Sequence, residues 1–166
     1  MLAGPAGPVI CRMNTLVLMQ TIEADRHTPV VVAAGIIWNA ERTTLLLTLR
    51  KPEQHQGDRW EFPGGKIEAD ESVFDGLCRE LEEELGVQVV TAEPCMSIPY
   101  DYPDKSVVIH FWHILSFVGN PIACEGQQQQ WANLSSLRNL NFPEANKPVV
   151  EHLLASTPPL SHVVPA

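Results

Sequence analysis

Gly65-Lys66-Ile67-Glu68-Ala69-Asp70-Glu71 runs on through Ser72 to Arg79-Glu80-Leu81-Glu82-Glu83-Glu84-Leu85-Gly86-Val87. Ser72 with Asp75 makes a capping-box-like start and Gly86 is a natural C′ residue, so the stretch predicts a helix over 72–85. Phe74, Leu77, Cys78, Leu81 and Leu85 form one apolar stripe along it. Glu80, Glu83 and Glu84 stand at i, i+3 and i+4 and share a different face. Like charges so placed repel by roughly a few tenths of a kcal/mol per pair, which Arg79 offsets in part by reaching Glu83 one turn on.

On a generic Glu-rich helix such a face is merely solvated. Here a Gly64-Gly65 turn precedes it, Glu71 lies between, and Gly86 closes it. That combination points to divalent cations held against a polyphosphate. Mg²⁺ prefers oxygen ligands and takes a few carboxylates together with waters and substrate phosphates. Gly64 and Gly65 let the backbone approach closely enough to donate a carbonyl or touch a phosphate. Cations in such a place polarise phosphoryl oxygens and orient an attacking water, and a glutamate within reach takes its proton.

Outward from this helix, residues 29–38 are a near-continuous apolar run that fits a buried strand. Residues 39–42 read as a turn, 43–50 as a second strand, and 51–60 as a polar loop. Beyond the helix, 87–90 and 96–102 read as two strands and 105–118 as one long strand. The glutamine run 127–130 reads as an extended segment before Trp131. Asn146 with Pro148 opens a short helix to about residue 154. Trp60, Trp112 and Trp131 are assigned to the core; His113, among other histidines, fits no ligand pattern and is expected at a surface or satisfied strand position. Residues 1–27 are expected to form a disordered extension, 28–156 one domain, and 157–166 a disordered tail.

The chain has 166 residues, 45% of them apolar, enough for a core. Its formal charge of −9 and pI near 5.0 argue against a binder of nucleic-acid backbones. An acidic protein still takes an anionic substrate when metals carry the positive charge. Cys11, Cys78, Cys95 and Cys124 form no CxxC pair and imply no disulfide framework, so reduced, partly buried thiols in a cytoplasmic protein are expected. No apolar run has the length of a membrane span, and the first residues lack a signal peptide's basic start. A monomer or dimer is expected.

The pattern Gly65-x5-Glu71-x7-Arg79-Glu80-Leu81-x-Glu83-Glu84-x-Gly86-Val87 matches the Nudix box at every specified position. The chain thus resembles a Nudix hydrolase, a family that cleaves nucleoside diphosphates linked to another moiety with Mg²⁺ or Mn²⁺. The resemblance implies an α+β fold in which a mixed, curved sheet is sandwiched between helices and the box forms a loop-helix-loop. It covers about 30–154 and is greatest to the MutT-type 8-oxo-dGTP diphosphatases, through Ala34-Gly35-Ile36-Ile37, Trp60-Glu61-Phe62-Pro63-Gly64-Gly65, Tyr102-Pro103-Asp104, Glu125-Gly126-Gln127 and Phe142-Pro143-Glu144-Ala145-Asn146. By that resemblance Glu80, Glu83, Glu84 and Glu125, with the Gly64 carbonyl, hold the cations. Arg79 orients the cluster, and Glu80 is the first choice for general base, with Glu83 or Glu125 as alternatives. Arg50, His55, Glu61, Phe62, Gly64, Lys105 and Asn146 are implied as nucleotide-binding. Lys105 stands where the archetype has arginine and lacks the planar fork.

In that branch the asparagine reads the oxidised guanine. Normal guanine offers O6 and N7 as acceptors, whereas oxidation at C8 turns N7 into a donor. An asparagine amide matches the oxidised edge and clashes with the normal one. A mismatched buried polar pair costs on the order of 10⁴ in selectivity. The competing reading of Asn146 is a plain helix N-cap. The reaction expected is hydrolysis of a nucleoside triphosphate to monophosphate and pyrophosphate. Rival readings are a pyrimidine (CTP or dCTP) pyrophosphatase, an ADP-ribose or dinucleoside polyphosphate hydrolase, an RNA 5′-pyrophosphohydrolase, and a nucleotide-sensing binding module.

Overall fold

The computed structural model describes residues 28–156. The expected extension over 1–27, with Cys11, and the expected tail over 157–166 lie outside the described residues. Strand β1 (Val30–Ile37) is central to a mixed four-stranded sheet. It pairs in parallel with β6 (Ser106–Val118) and antiparallel with β4 (Gly64–Lys66). On its far side β6 pairs antiparallel with β5 (Gln88–Asp101). A second, antiparallel sheet has the order β3 (Trp60–Glu61), β2 (Thr44–Leu49), β7 (Gln129–Asn133). The mixed sheet and α+β class agree with expectation; the second sheet adds to it, and Trp38 bridges to Leu45 between the two.

Period-2 alternation along β1 divides the core. Ala33 and Ile37 face helix α1 (Val73–Leu85), with Leu46, Leu77, Leu81, Leu85 and Ile114. Ala34, Ile36 and Trp38 face the other way, against Phe111, Phe142 and helix α2 (Lys147–Ala155) through Val149, Val150 and Leu153. A Cβ on Gly35 would lie 3.0 Å from Leu81, so the glycine allows α1 to pack close. Leu77, Leu81 and Leu85 are fully buried, each contributing roughly 1.5–3 kcal/mol. The Ser72 Oγ accepts the Asp75 N–H at 3.1 Å, and Gly86 ends the helix at φ 67°, as its caps predict.

Several elements depart from the sequence reading. The two short strands expected at 87–90 and 96–102 are one strand, β5. Register shifts between Val89 and Thr91, Thr91 and Ala92, and Pro94 and Met96 absorb the interruption as bulges, which is how a proline is accommodated in a long strand. Trp131 sits on edge strand β7 and is 40% exposed, so it is not core. A 3₁₀ turn at Leu134–Asn139 was not anticipated.

His113 on β6 is a further departure. It is buried, and its Nδ1 has no hydrogen-bond partner. Burial pushes the imidazole below its ordinary value; Glu93 opposes this, while His152 and Arg42 reinforce it. The unfolded chain, with an ordinary histidine near 6.5, therefore takes up the proton first as pH falls. This penalty is absent above about pH 7.5 and grows as pH drops through about 6.5. Urea midpoints at about pH 7.5 and 5.5 are expected to differ less for His113→Asn than for the wild type; equal differences would remove His113 from the acid response.

Candidate active site

Strand β4 sets Gly64 and Gly65 against the acidic face of α1. Gly64 lies opposite Ala34 and Gly65 opposite Ala33. Gly64 has φ 145°, and a Cβ there would lie 2.1 Å from the Ala33 carbonyl oxygen, so only glycine fits. Its N–H donates to Glu84 Oε2 at 2.7 Å. A Cβ on Gly65 would lie 2.1 Å from Glu80 Oε2, so the Glu80 carboxylate rests directly on the Gly65 backbone.

Arg79 organises the neighbouring carboxylates. Its guanidinium grips Glu71 at 2.6 and 3.2 Å, Glu80 at 2.9 Å and Glu83 at 3.4 Å, and donates to the Lys66 carbonyl at 2.9 Å. Hydrogen bonds from Arg79 and the Glu68 N–H hold the Glu71 carboxyl below its usual range. The expected Arg79–Glu83 pair is present, but it is the longest of the set; Glu71 is the closer partner.

Glu80 and Glu84 are shifted in the opposite direction. Burial pushes Glu84 up to about 7, and the charges of Glu61 and Glu125 add to this against the Gly64 N–H. Burial raises Glu80 as well, with Arg79 opposing and Glu83 and Glu125 reinforcing. Glu61 is raised by burial and counterbalanced by an ion pair with Arg50. Glu125 is exposed, in the loop before β7, yet near enough to act on both Glu80 and Glu84. Glu83 is mostly exposed.

These groups border a cleft of about 270 Å³, also lined by Arg50, His55, Phe62, Lys105 and Asn146. Arg50 Nε donates to the His55 carbonyl at 2.9 Å. The His55 ring lies 3.1 Å from Asp104 and edge-on to Tyr102. Phe62 is buried between Phe111 and Phe142, and so forms a rigid apolar floor. Asn146 occupies the N-cap position of α2 but has helical dihedrals and makes no capping hydrogen bond. Its side chain is 95% buried at the cleft, so the cap reading fails. The cleft is thus lined by every predicted site residue except Arg79 and Glu83, which are tied to it through the Arg79–Glu80 bond.

Three cleft residues escaped the sequence reading as site residues. Thr48 is buried, and its hydroxyl faces Glu84, whose proton affinity it lowers against the effect of burial; a threonine in the leucine run 45–49 was the available sign. Tyr102 accepts the Ala145 N–H at 3.3 Å through its hydroxyl, beside Asn146. Gln127 donates to Glu84. The last two lie inside segments that carry the family resemblance, where neither was given a role of its own.

Among the described residues no three His, Cys, Asp or Glu side chains form a preformed metal cage. The donor set nevertheless suits a hard dication that keeps waters and substrate oxygens in its shell. Glu80, Glu84 and Glu125 are hard oxygen donors, and the Glu125 charge raises the proton affinity of both Glu80 and Glu84, an excess of negative charge that a cation relieves.

A profile of the NUDIX domain matches residues 33–152. The chain is similar to an 8-oxo-dGTP diphosphatase of Escherichia coli K12, 36% identical over 74% of this chain and 94% of that protein. It is also similar to a CTP pyrophosphohydrolase of the same strain, 34% identical over 75% of this chain and 90% of that protein. A solved structure from work on MutT of Aliivibrio salmonicida and Vibrio cholerae superposes with a TM-score of 0.68 at 38% identity, covering 77% of this chain and 98% of that one.

The contact between Gly65 and Glu80 is open to test. In Gly65→Ala the new methyl displaces a flexible carboxylate, not the backbone, so the melting temperature is expected to stay within a few degrees. A catalytic group moved by about 1 Å costs about a hundredfold, and turnover measured by pyrophosphate release is expected to fall by that order. Wild-type turnover would show that the placement of Glu80 is unimportant.

Proposed function

The chain belongs to the NUDIX domain family and is a Nudix hydrolase, and we propose that it hydrolyses 8-oxo-dGTP to the monophosphate and pyrophosphate, clearing an oxidised precursor from the nucleotide pool. Hydrolases of this family use a divalent metal ion; the ion proposed here is Mg²⁺, with Mn²⁺ as a substitute. Residues 28–156 form the proposed hydrolase domain, acting in the cytoplasm on a small nucleotide and not on nucleic acid or a membrane. Among the described residues no helix is long and apolar enough to cross a membrane.

The observation that carries the substrate is Asn146. An asparagine amide buried in the cleft without capping its helix is free to pair with a ligand. Its carbonyl would accept from N7–H of 8-oxoguanine and its amino group would donate to O6, with Phe62 beneath the base. Normal guanine presents an acceptor at N7 and leaves the Asn146 carbonyl unmatched. Arg50 and Lys105 supply positive charge, Arg50 fixed by Glu61 and by the His55 carbonyl.

The ion would be held by Glu80, Glu83, Glu84, Glu125 and the Gly64 carbonyl, and would supply polarisation of the phosphoryl oxygens and neutralisation of their charge. Water attacks phosphorus, its proton passes to a carboxylate, and pyrophosphate leaves. Glu80 is the proposed acceptor: Arg79 holds one of its oxygens, and burial with two like charges makes it more basic than an ordinary glutamate. Glu83 and Glu125 are the alternatives.

The similarity to a CTP pyrophosphohydrolase supports a second reading, a pyrimidine triphosphate as substrate. A kcat/KM panel over 8-oxo-dGTP, dGTP, dCTP and CTP separates the two. The expected preference for 8-oxo-dGTP over dGTP is on the order of 10⁴, and a preference below about tenfold would sink the sanitising role. Asn146→Ala is expected to reduce that preference by between about tenfold and a hundredfold, with hydrolysis of dGTP little changed. Glu80→Gln and Glu84→Gln are each expected to lower kcat by about 10² or more with the fold retained by circular dichroism; near-normal kcat in either removes that residue from the machinery.

A further inference from the structure

Gln127 makes three hydrogen bonds that join Glu84 on α1 to Glu125 in the loop before β7. Its Nε2 donates to the Glu84 carbonyl at 3.2 Å and to Glu84 Oε1 at 3.3 Å, while its Oε1 accepts the Glu125 N–H at 3.1 Å. The amide orientation is chemically forced, since the Glu84 backbone carbonyl only accepts and the Glu125 N–H only donates. Backbone bonds from Cys124 N to Glu84 O at 2.9 Å and from Ile122 N to Leu85 O at 3.0 Å dock the same loop on the end of α1. Those bonds hold the loop up to Cys124. Beyond it, Gly126 turns the chain at φ 74°, and no other side-chain hydrogen bond ties Glu125 to the helix among the described residues.

Glu84 and Glu125 are like charges, and their repulsion drives the two carboxylates apart. We infer that Gln127 is a positioning residue whose amide fixes the mutual placement of Glu84 and Glu125 and thereby the affinity of the cleft for divalent ions. The donor end steadies Glu84 without adding charge, and the acceptor end sets the backbone from which Glu125 projects. The inference rests on the reading of these two glutamates as metal carboxylates.

Mn²⁺ titration calorimetry on the full chain, without nucleotide, tests it. Partners that orient metal ligands are worth about 10- to 100-fold in metal affinity. Gln127→Met keeps the side-chain length and removes all three hydrogen bonds, and it is expected to weaken Mn²⁺ binding by about tenfold with little change in melting temperature. Glu125→Gln is expected to do the same. The two losses should not add: Gln127→Met with Glu125→Gln is expected to bind within about twofold of Glu125→Gln alone, because Gln127 acts largely through Glu125. A merely structural glutamine gives independent, multiplying losses. Gln127→Ala provides the same comparison if the methionine variant misfolds. Wild-type affinity in the Gln127 variants, or fully multiplying losses, overturns the proposal alone. A wild-type protein that binds no Mn²⁺ overturns the metal reading and this inference with it.

Discussion

The Arg79 guanidinium is the interaction on which the cleft depends. It is one cation among Glu71, Glu80 and Glu83, and it also reaches the Lys66 carbonyl. Only arginine's planar fork serves several acceptors at once; a lysine would offer a point charge and lose the geometry. Through these bonds the end of β4, the loop before α1 and the acidic face of that helix become one unit. The low proton affinity of Glu71 and the raised affinity of Glu80 show how the single positive charge is shared. Glu71 takes the larger part as a structural counter-ion, and Glu80 is left under-compensated.

Glu84 lies beyond Arg79's reach and is held by neutral dipoles, the Gly64 N–H and the Gln127 amide. Neutral donors steady a carboxylate without cancelling its charge. The cleft therefore keeps an excess of negative charge in a partly dry place, which neutral side chains alone would not leave at a mere surface helix. The rest of the fold makes this tolerable. The leucine stripe of α1 is buried against β1 and β6, and it pins the helix firmly enough that repulsion on its outer face is not relieved by tilting.

The helix and its chemistry were legible because local rules act alone there. The Ser72 cap, the Gly86 stop and the leucine spacing each act within a few residues of one another, and the fixed box spacing points to the same carboxylates. Non-local features were not legible. The continuity of β5 across Pro94 depends on bulges paired with β6, which no local pattern announces. The exposure of Trp131 follows from its place on an edge strand, which sheet order alone decides. His113 lies unsatisfied in the core because β6 carries its own face against α2 whatever the residue. For Asn146, sequence left two roles open. The geometry removed one, since helical dihedrals at that position direct the amide away from the free N–H groups of α2.

The topology also separates what must stay constant from what can change. Oxygen donors of the proposed metal site come from α1, from the Gly64 carbonyl of β4 opposite it and from the loop before β7. The groups proposed to meet base and sugar come from the end of β2, the turn between β5 and β6, and the start of α2. The two sets touch through few contacts: the Arg50–Glu61 pair, with Glu61 acting electrostatically on Glu84, and the shared floor at Phe62. Tyr102 ties the second set together by accepting the Ala145 N–H while its ring meets His55. On the proposed reading, a substitution at Lys105 or Tyr102 alters which nucleotide fits without disturbing the Arg79 network, because neither side chain bonds to it.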